Sequence, residues 1–297
     1  EGLLLALKNI YPNSNIEYLN IEIKNKLSRK ILRFLLNKFT SFFTKSKNLR
    51  YLSQFFKKYN LPLVKPDIIL STGGNTSNFN AWLSKAYHSK NILNGALRGL
   101  NEDLFSFVTT VIDLGYKNQL ILDVAPNVIN QNILKEKSEE FLITNKIDEN
   151  SNFYSLLIGG DGSGYKYDDK FYSDLILFVK KISKEKNIKW LITTSRRTPL
   201  EVECKLQREL LNSCAYFVSF NKKEEKVLLA FLGLSELVFV TEESASMISE
   251  AISSSKPVFT IGNDIKNKNA NYSRILEKFE NENKIKKISN LNEIDLN

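Results

Sequence analysis

One histidine and two cysteines, Cys204 and Cys214, are all that 297 residues offer as soft metal ligands. A zinc site draws on three or four such groups, so none is expected, and two cysteines build no disulfide framework. A reducing cytosol fits that usage. No run of about 18 apolar residues occurs, so no transmembrane helix is expected. The Gly-Lys-Ser/Thr ending of a Walker loop and the spacing of a dinucleotide fingerprint are both missing. No Asp-x-Asp run is present to hold a divalent metal, and neither a metal nor a cofactor is expected. What remains is a chain of 42% apolar content, long enough for one large or two medium α/β domains.

The charge is unevenly placed. The net charge is +9, yet the stretch from Glu22 to Lys65 alone carries twelve Lys/Arg against one acid. Within it Leu27, Ile31, Phe34, Leu35, Phe39 and Phe42 recur at helical spacing, leaving Lys26, Arg29, Lys30 and Arg33 to face elsewhere. Two readings compete: a core-packed helix with a solvated basic face, and a helix lying on anionic lipid with its aromatics in the interface. The membrane reading assigns contact to Lys26, Arg29, Lys30, Arg33, Phe39, Phe42 and Phe43. An aromatic-rich apolar stripe suits lipid better than a nucleic-acid backbone, so no nucleic-acid partner is expected.

Period and punctuation give an α/β chain. Strands are expected at Asn15 to Ile21, in PDIILSTGG from Pro66, in KNILNG, in LFSFVTTVI and in NQLILDVAP, with a helix through NFNAWLSKAY. The polar run ITNKIDENSN places a domain boundary after residue 148, giving domains 1–148 and 149–297. A second unit follows, with strands in FYSLLIGG, IKWLITT, AYFVSF, ELVFVT and PVFTIG separated by helical stretches. Strands alternating with helices imply doubly wound parallel sheets. The chain opens at EGLLLALKNI, already in a helical pattern, where an α/β domain ordinarily begins with a strand. A first strand and its loop are therefore expected upstream.

Three loops at the carboxyl ends of the second unit's strands carry suggestive chemistry, where open α/β sheets bind ligands. In GGDGSGYKY, Gly160, Gly162 and Gly164 let amides approach an anion and Ser163 can donate a hydroxyl, although a plain tight turn explains the same residues. In TTSRRTP, Thr198 suits a helix N-cap and Pro199 the first turn. Neither explains Ser195 beside the pair Arg196 and Arg197, whose guanidiniums fit phosphates. In VTEESASMISEA, Thr241, Ser244, Ser246 and Met247 surround a helix start whose free amides favour an anion. Glu250, further along, can accept from a ribose diol. The competing reading is one capping serine and a solvated acid, but a cap explains one hydroxyl, not three.

Together TTSRRTP, VTEESASMISEA and KPVFTI, after a glycine loop, resemble a bacterial family named for a plant mitochondrial-fission protein. The resemblance implies the GT-B glycosyltransferase architecture: two Rossmann-like doubly wound domains facing a cleft. SMISEAISSSKPVF is also similar to the donor-site helix of the enzyme that adds N-acetylglucosamine to lipid-linked peptidoglycan precursors. That likeness implies that Glu250 binds the ribose of a UDP-sugar and that the helix end receives the diphosphate. The N-terminal half departs from the family pattern. STGGNTSN carries Gly74 and Asn75 where relatives place a basic residue, and Pro126-Asn127 stands where relatives show Pro-His. The catalytic base is therefore unassigned; Asp123 and His88 are the visible candidates, and His88 also reads as a plain surface residue.

The resulting expectation is a glycosyltransferase, inverting and metal-independent by resemblance. It would move a sugar from a nucleotide-sugar to a membrane-associated acceptor such as a lipid-linked glycan or lipopolysaccharide precursor. It would work in the cytoplasm, peripheral on the inner face of the cell membrane. A non-catalytic membrane-surface adaptor of the same fold and a nucleotide-sugar epimerase are the alternatives.

Overall fold

A computed structural model describes residues 1–148, 151–263, 269–288 and 290–291. The chain divides into two compact units, Glu1–Asp123 and Val124–Asn297. The division falls well before the boundary expected after residue 148. Residues 143–145 of the polar stretch read there end a helix inside the second unit, and residues 149 and 150 lie outside the described residues.

In the first unit a helix α1 (Gly2–Ile10) leads to a two-residue strand β1 (Glu22–Ile23). The expected strand from Asn15 to Ile21 is absent; its residues are mostly exposed and no neighbouring strand lies beside them. The helices α2 (Lys26–Lys38), α3 (Thr40–Phe43) and α4 (Leu52–Phe55) follow, then a short strand β2 (Phe56–Lys58) antiparallel to β1. The main sheet is β3 (Ile68–Thr72), β4 (Lys90–Asn94), β5 (Phe107–Thr110) and β6 (Gln119–Ile121), in that order and all parallel. Helix α5 (Thr76–Tyr87) connects β3 to β4 and buries Phe79, Trp82 and Leu83. Asn80 and Asn91 bridge it to the sheet: Asn91 Nδ2 donates to Asn80 Oδ1 at 2.8 Å. His88 ends this helix in the left-handed region at φ 53° and is exposed, as its surface reading has it.

Helix α2 has two apolar faces. Leu32 and Leu36 are fully buried, whereas Leu27, Phe34 and, beyond the helix, Phe39 are 65%, 58% and 54% exposed. Phe43 does not join that outer face. It lies in the core, edge-on to Trp82 at 4.9 Å between ring centroids, which corrects its placement among the lipid contacts. Arg29 and Arg33 are half-buried and engaged, Arg29 with Asn75 Oδ1 at 3.1 Å and Arg33 with the Arg98 carbonyl at 2.6 Å. Lys26, Lys30, Phe39 and Phe42 stay exposed.

The second unit begins with helix α6 (Gln131–Asn145). It continues through β7 (Phe153–Leu157), α7 (Asp169–Lys186), β8 (Lys189–Thr193), α8 (Leu200–Leu210), β9 (Cys214–Val218), α9 (Leu228–Leu234) and β10 (Ser235–Thr241). Helix α10 (Ala245–Ser253), β11 (Val258–Ile261), α11 (Ala270–Asn281) and β12 (Lys286–Ile288) complete it. Its parallel sheet runs β12-β11-β10-β7-β8-β9. From β7 the chain winds outward to β8 and β9, then returns to lay β10 on the other side of β7. The β7–β10 seam is thus the topological switch point, where the loops after two adjacent strands part and leave a crevice. All five residues of β7 are buried, as expected of a central parallel strand.

Candidate functional site

The three loops singled out in the sequence converge at this switch point. The glycine loop leaves β7, the arginine loop leaves β8, and the serine-rich turn leaves β10 for α10. They enclose a pocket of about 520 Å³ lined by Ser163, Ser195, Arg196, Arg197, Ser244, Ser246 and Met247, all named from the sequence. Glu243, Ala245 and Tyr272 line it as well and were not assigned there. Tyr272 belongs to α11, a helix the sequence reading did not resolve.

The glycines serve packing before ligand. Residues Gly162 to Tyr165 form a tight turn closed by two backbone hydrogen bonds of 3.1 and 2.7 Å, with Ser163 at φ 50° and Gly164 at φ +97°. Consecutive positive φ angles are those of a type I′ turn, so the plain-turn reading holds for this half of the loop. A Cβ on Gly160 would strike the Arg197 carbonyl, one on Gly162 the Arg197 guanidinium, and one on Gly159 the Glu243 carboxylate. The loop is therefore pressed against its two neighbours. The Ser163 hydroxyl, expected as a donor to ligand, donates instead to the Glu243 carbonyl at 2.8 Å.

Two threonines tie the loops together. Thr241, fully buried, accepts from Gly159 N–H at 2.7 Å, so it anchors the glycine loop rather than facing a ligand. Thr198 is not the N-cap of α8; that position is Pro199. Its hydroxyl donates to the Gly159 carbonyl at 2.7 Å and accepts from Ser195 N–H at 3.1 Å, bracing the arginine loop against the glycine loop. From behind, the fully buried Glu203 carboxylate accepts from Thr194 Oγ1, Ser219 Oγ and the Asn221 amides. Asn221 in turn donates to the Thr198 carbonyl at 2.7 Å. The shape of the arginine loop is thus fixed by a buried carboxylate whose position nothing in the residue pattern signals.

The two arginines differ. Arg197 donates to Glu243 Oε1 at 3.3 Å and packs on Gly162. Arg196 is exposed and has no partner among the described residues. Glu243 is 0% exposed at its side chain, and Tyr167 donates to its Oε2 at 3.1 Å. Burial pushes its carboxyl above the ordinary value, against the pull of Thr241, Arg197 and Tyr167. Beside it Glu242 is held by Tyr165 and Thr260. Burial raises the hydroxyls of Tyr165, Tyr167, Tyr172 and Tyr272 well above the usual phenol range, so all four are neutral donors.

Helix α10 opens without a cap. Ser244 occupies the N-cap position but its side chain makes no capping bond, and the first intrahelical donor is Ile248. The amides of Ala245, Ser246 and Met247 therefore meet no acceptor among the described residues. One turn further on, sharing the face of Ser246 and Met247, stands Glu250. It is half-buried and has no hydrogen-bond or ion-pair partner among the described residues, and burial alone pushes its carboxyl up. The far end of α10 is tethered to the segment before α6: Asn127 Nδ2 donates to Ser253 Oγ at 2.8 Å, and Ala125 N–H donates to Ser249 Oγ at 3.1 Å. Asn127 thus has a positional role where relatives were expected to show histidine.

The uncapped amides, the Arg196 guanidinium and the Ser244 and Ser246 hydroxyls at the pocket suit an anion; Glu250 does not line the pocket but stands further along α10, where a carboxylate suits a diol linked to that anion. Among solved structures, the UDP-GlcNAc 2-epimerase from Methanocaldococcus jannaschii is similar at 13% identity, TM-score 0.53, covering 96% of this chain and 79% of that one. The E. coli ADP-heptose LPS heptosyltransferase II aligns at 9% identity and TM-score 0.48, covering 75% and 68%. The Acinetobacter baumannii MurG aligns at 10% and 0.47, covering 98% and 76%. No curated protein matches by sequence. The profile of the family described as Mitochondrial fission ELM1 matches residues 1–293. The two Rossmann-like parallel sheets have a GT-B-like arrangement, and the match over residues 1–293 shows that the chain belongs to the mitochondrial fission ELM1 family.

Proposed function

We propose that the protein is a glycosyltransferase that takes a sugar from a nucleotide-sugar, a UDP-sugar in the first instance, and delivers it to a membrane-associated acceptor such as a lipid-linked glycan or lipopolysaccharide precursor. The pocket of the second unit holds the donor. Arg196, the amides of residues 245–247 and the hydroxyls of Ser244 and Ser246 take the diphosphate, and Glu250 accepts from the ribose hydroxyls. When the glycosidic bond to the diphosphate breaks, negative charge grows on the leaving oxygens. Fixed dipoles and a guanidinium already aimed there stabilise it without reorganisation. The exposed basic and aromatic face around α2 holds the protein at an anionic leaflet on the cytoplasmic side.

The observation that carries this reading is Glu250. A half-buried carboxylate with no partner among the described residues costs stability unless something else uses it. Hydrogen bonds to a charged group contribute roughly 1.5–3 kcal/mol each. Calorimetric titration with UDP-, ADP-, GDP- and CMP-sugars is expected to find one donor whose affinity drops at least about tenfold in Glu250→Gln, since 1.4 kcal/mol is one decade. Equal affinities would make Glu250 an ordinary helix residue and remove the ribose contact. Turnover of the nucleotide-sugar with no acceptor present would favour an epimerase, and binding without any turnover an adaptor.

A further inference from the structure

The pocket contains a carboxylate that works against the ligand it is built to hold. Glu243 lines the same space as Arg196 and Arg197, and its fully covered side chain lies within 3.3 Å of the Arg197 guanidinium. In the free protein that guanidinium therefore already has an anion. We infer that a phosphate-bearing ligand displaces Glu243 from Arg197, and that Glu243 then takes up a proton from solvent, so that donor binding is proton-coupled. The inference rests on the proposed donor site and adds a property that site does not by itself require.

Among the described residues, Arg197 is the one cation that touches Glu243. Its second oxygen accepts from Tyr167, a neutral donor. Tyr165, Tyr172 and Tyr272 also feel its charge and are neutral because they are buried; Glu242 is next to it in the chain, and Asp161 accepts from Tyr167 N–H. Arg196, across the pocket, faces the ligand. Arg197 is 37% exposed on its side chain and long enough to turn from the carboxylate to an anion entering the pocket. Once it turns, a desolvated carboxylate is left with a phosphate and Glu242 nearby and no cation touching it among the described residues. Burial already drives its carboxyl upward, and Arg197 is one of the groups holding it down. One proton moves from solvent to Glu243; no covalent bond to the ligand is made or broken. The added proton removes a repulsion that would otherwise oppose the diphosphate.

The test uses UDP-N-acetylglucosamine and its ADP and GDP counterparts, whose diphosphate diesters do not titrate near neutrality. Each is titrated into the full chain between pH 5.5 and 8 in buffers of different ionisation enthalpy. The observed heat is expected to vary with buffer enthalpy with a slope of up to one proton taken up, and affinity to fall with rising pH by up to about tenfold per unit where uptake is complete. Glu243→Gln should abolish the slope, and Asp161→Asn should keep it. Binding with zero slope in the wild type throughout that range, or a slope that survives Glu243→Gln, overturns the inference and leaves the donor site standing. No binding of any of the three overturns both.

Discussion

Glu250 and Glu243 are both carboxylates under burial pressure, but among the described residues Glu243 alone has a partner. For Glu250 the consequence appears in stability. Its carboxyl is raised by folding, so above the unfolded value of about 4.3 the unfolded chain ionises more readily than the folded one, and the folded state loses stability. Below that value both forms are protonated and the penalty vanishes. Glu250→Gln should therefore melt no lower than wild type at pH 7, with any advantage shrinking as pH falls below about 4.3. Thermal melts at pH 7 and pH 4 check this. A clearly lower melting temperature of the variant at pH 7 would mean that the ionised carboxylate supports the fold. At this scale the sequence was informative about residue type and poor on direction. Ser163, Thr198 and Thr241 are hydroxyls at the right loops, yet each has its hydrogen bond with a neighbouring loop. Which way a hydroxyl turns depends on the loop it meets, and that loop comes from a distant part of the chain.

Among the elements, β7 to β11 were legible because buried parallel strands are continuous apolar runs bounded by glycine and proline, whereas the short edge strand β12, which opens on two lysines, was not read. Helix α6 was not. Its buried positions are only Leu134, Ser138 and Phe141, a narrow stripe interrupted by a serine, and its surface is otherwise polar. Asn130, which accepts from Ile133 N–H at 3.0 Å, was the one start signal on offer. In the first unit the apolar period of α2 was read correctly as helical, but periodicity alone cannot say which of two apolar faces is covered. Leu32 and Leu36 are; Leu27 and Phe34 are not. The two faces should separate in unfolding experiments. Phe43→Ala removes a ring packed on Trp82 and is expected to cost about 3–5 kcal/mol. Phe39→Ala should change stability by no more than about 0.5 kcal/mol. Urea midpoints of the two variants decide the matter, and a large loss for Phe39→Ala would place its ring in a packed contact.

For the whole molecule the relevant asymmetry is electrical. The stretch from Glu22 to Lys65 carries +11, which leaves −2 for everything else. A net charge so concentrated acts on a surface, and each Lys or Arg near an anionic bilayer contributes roughly 1 kcal/mol. The protein should co-sediment with vesicles containing anionic lipid and leave them as salt rises, because screening shortens to about 8 Å at physiological ionic strength. Replacing Lys26, Lys30 and Lys38 by Gln should weaken the association without altering the melting temperature, since all three are exposed. Equal binding to neutral and anionic vesicles, or none to either, would detach the basic face from any membrane role.

The hydrogen bond from Gly159 to Thr241 spans 82 positions of sequence. A ribosome adding 5–20 residues per second makes the glycine loop roughly 4–16 s before the threonine that fixes it. Until then the loop has its glycines but neither Thr241 nor Glu243 to press against. The nascent chain can pair β7 with β8 and β9 in that interval, because all three are already made. The uncapped start of α10, however, reaches the glycine loop only when β10 inserts beside β7. In order of synthesis, the pocket is a late event in a sheet that starts early.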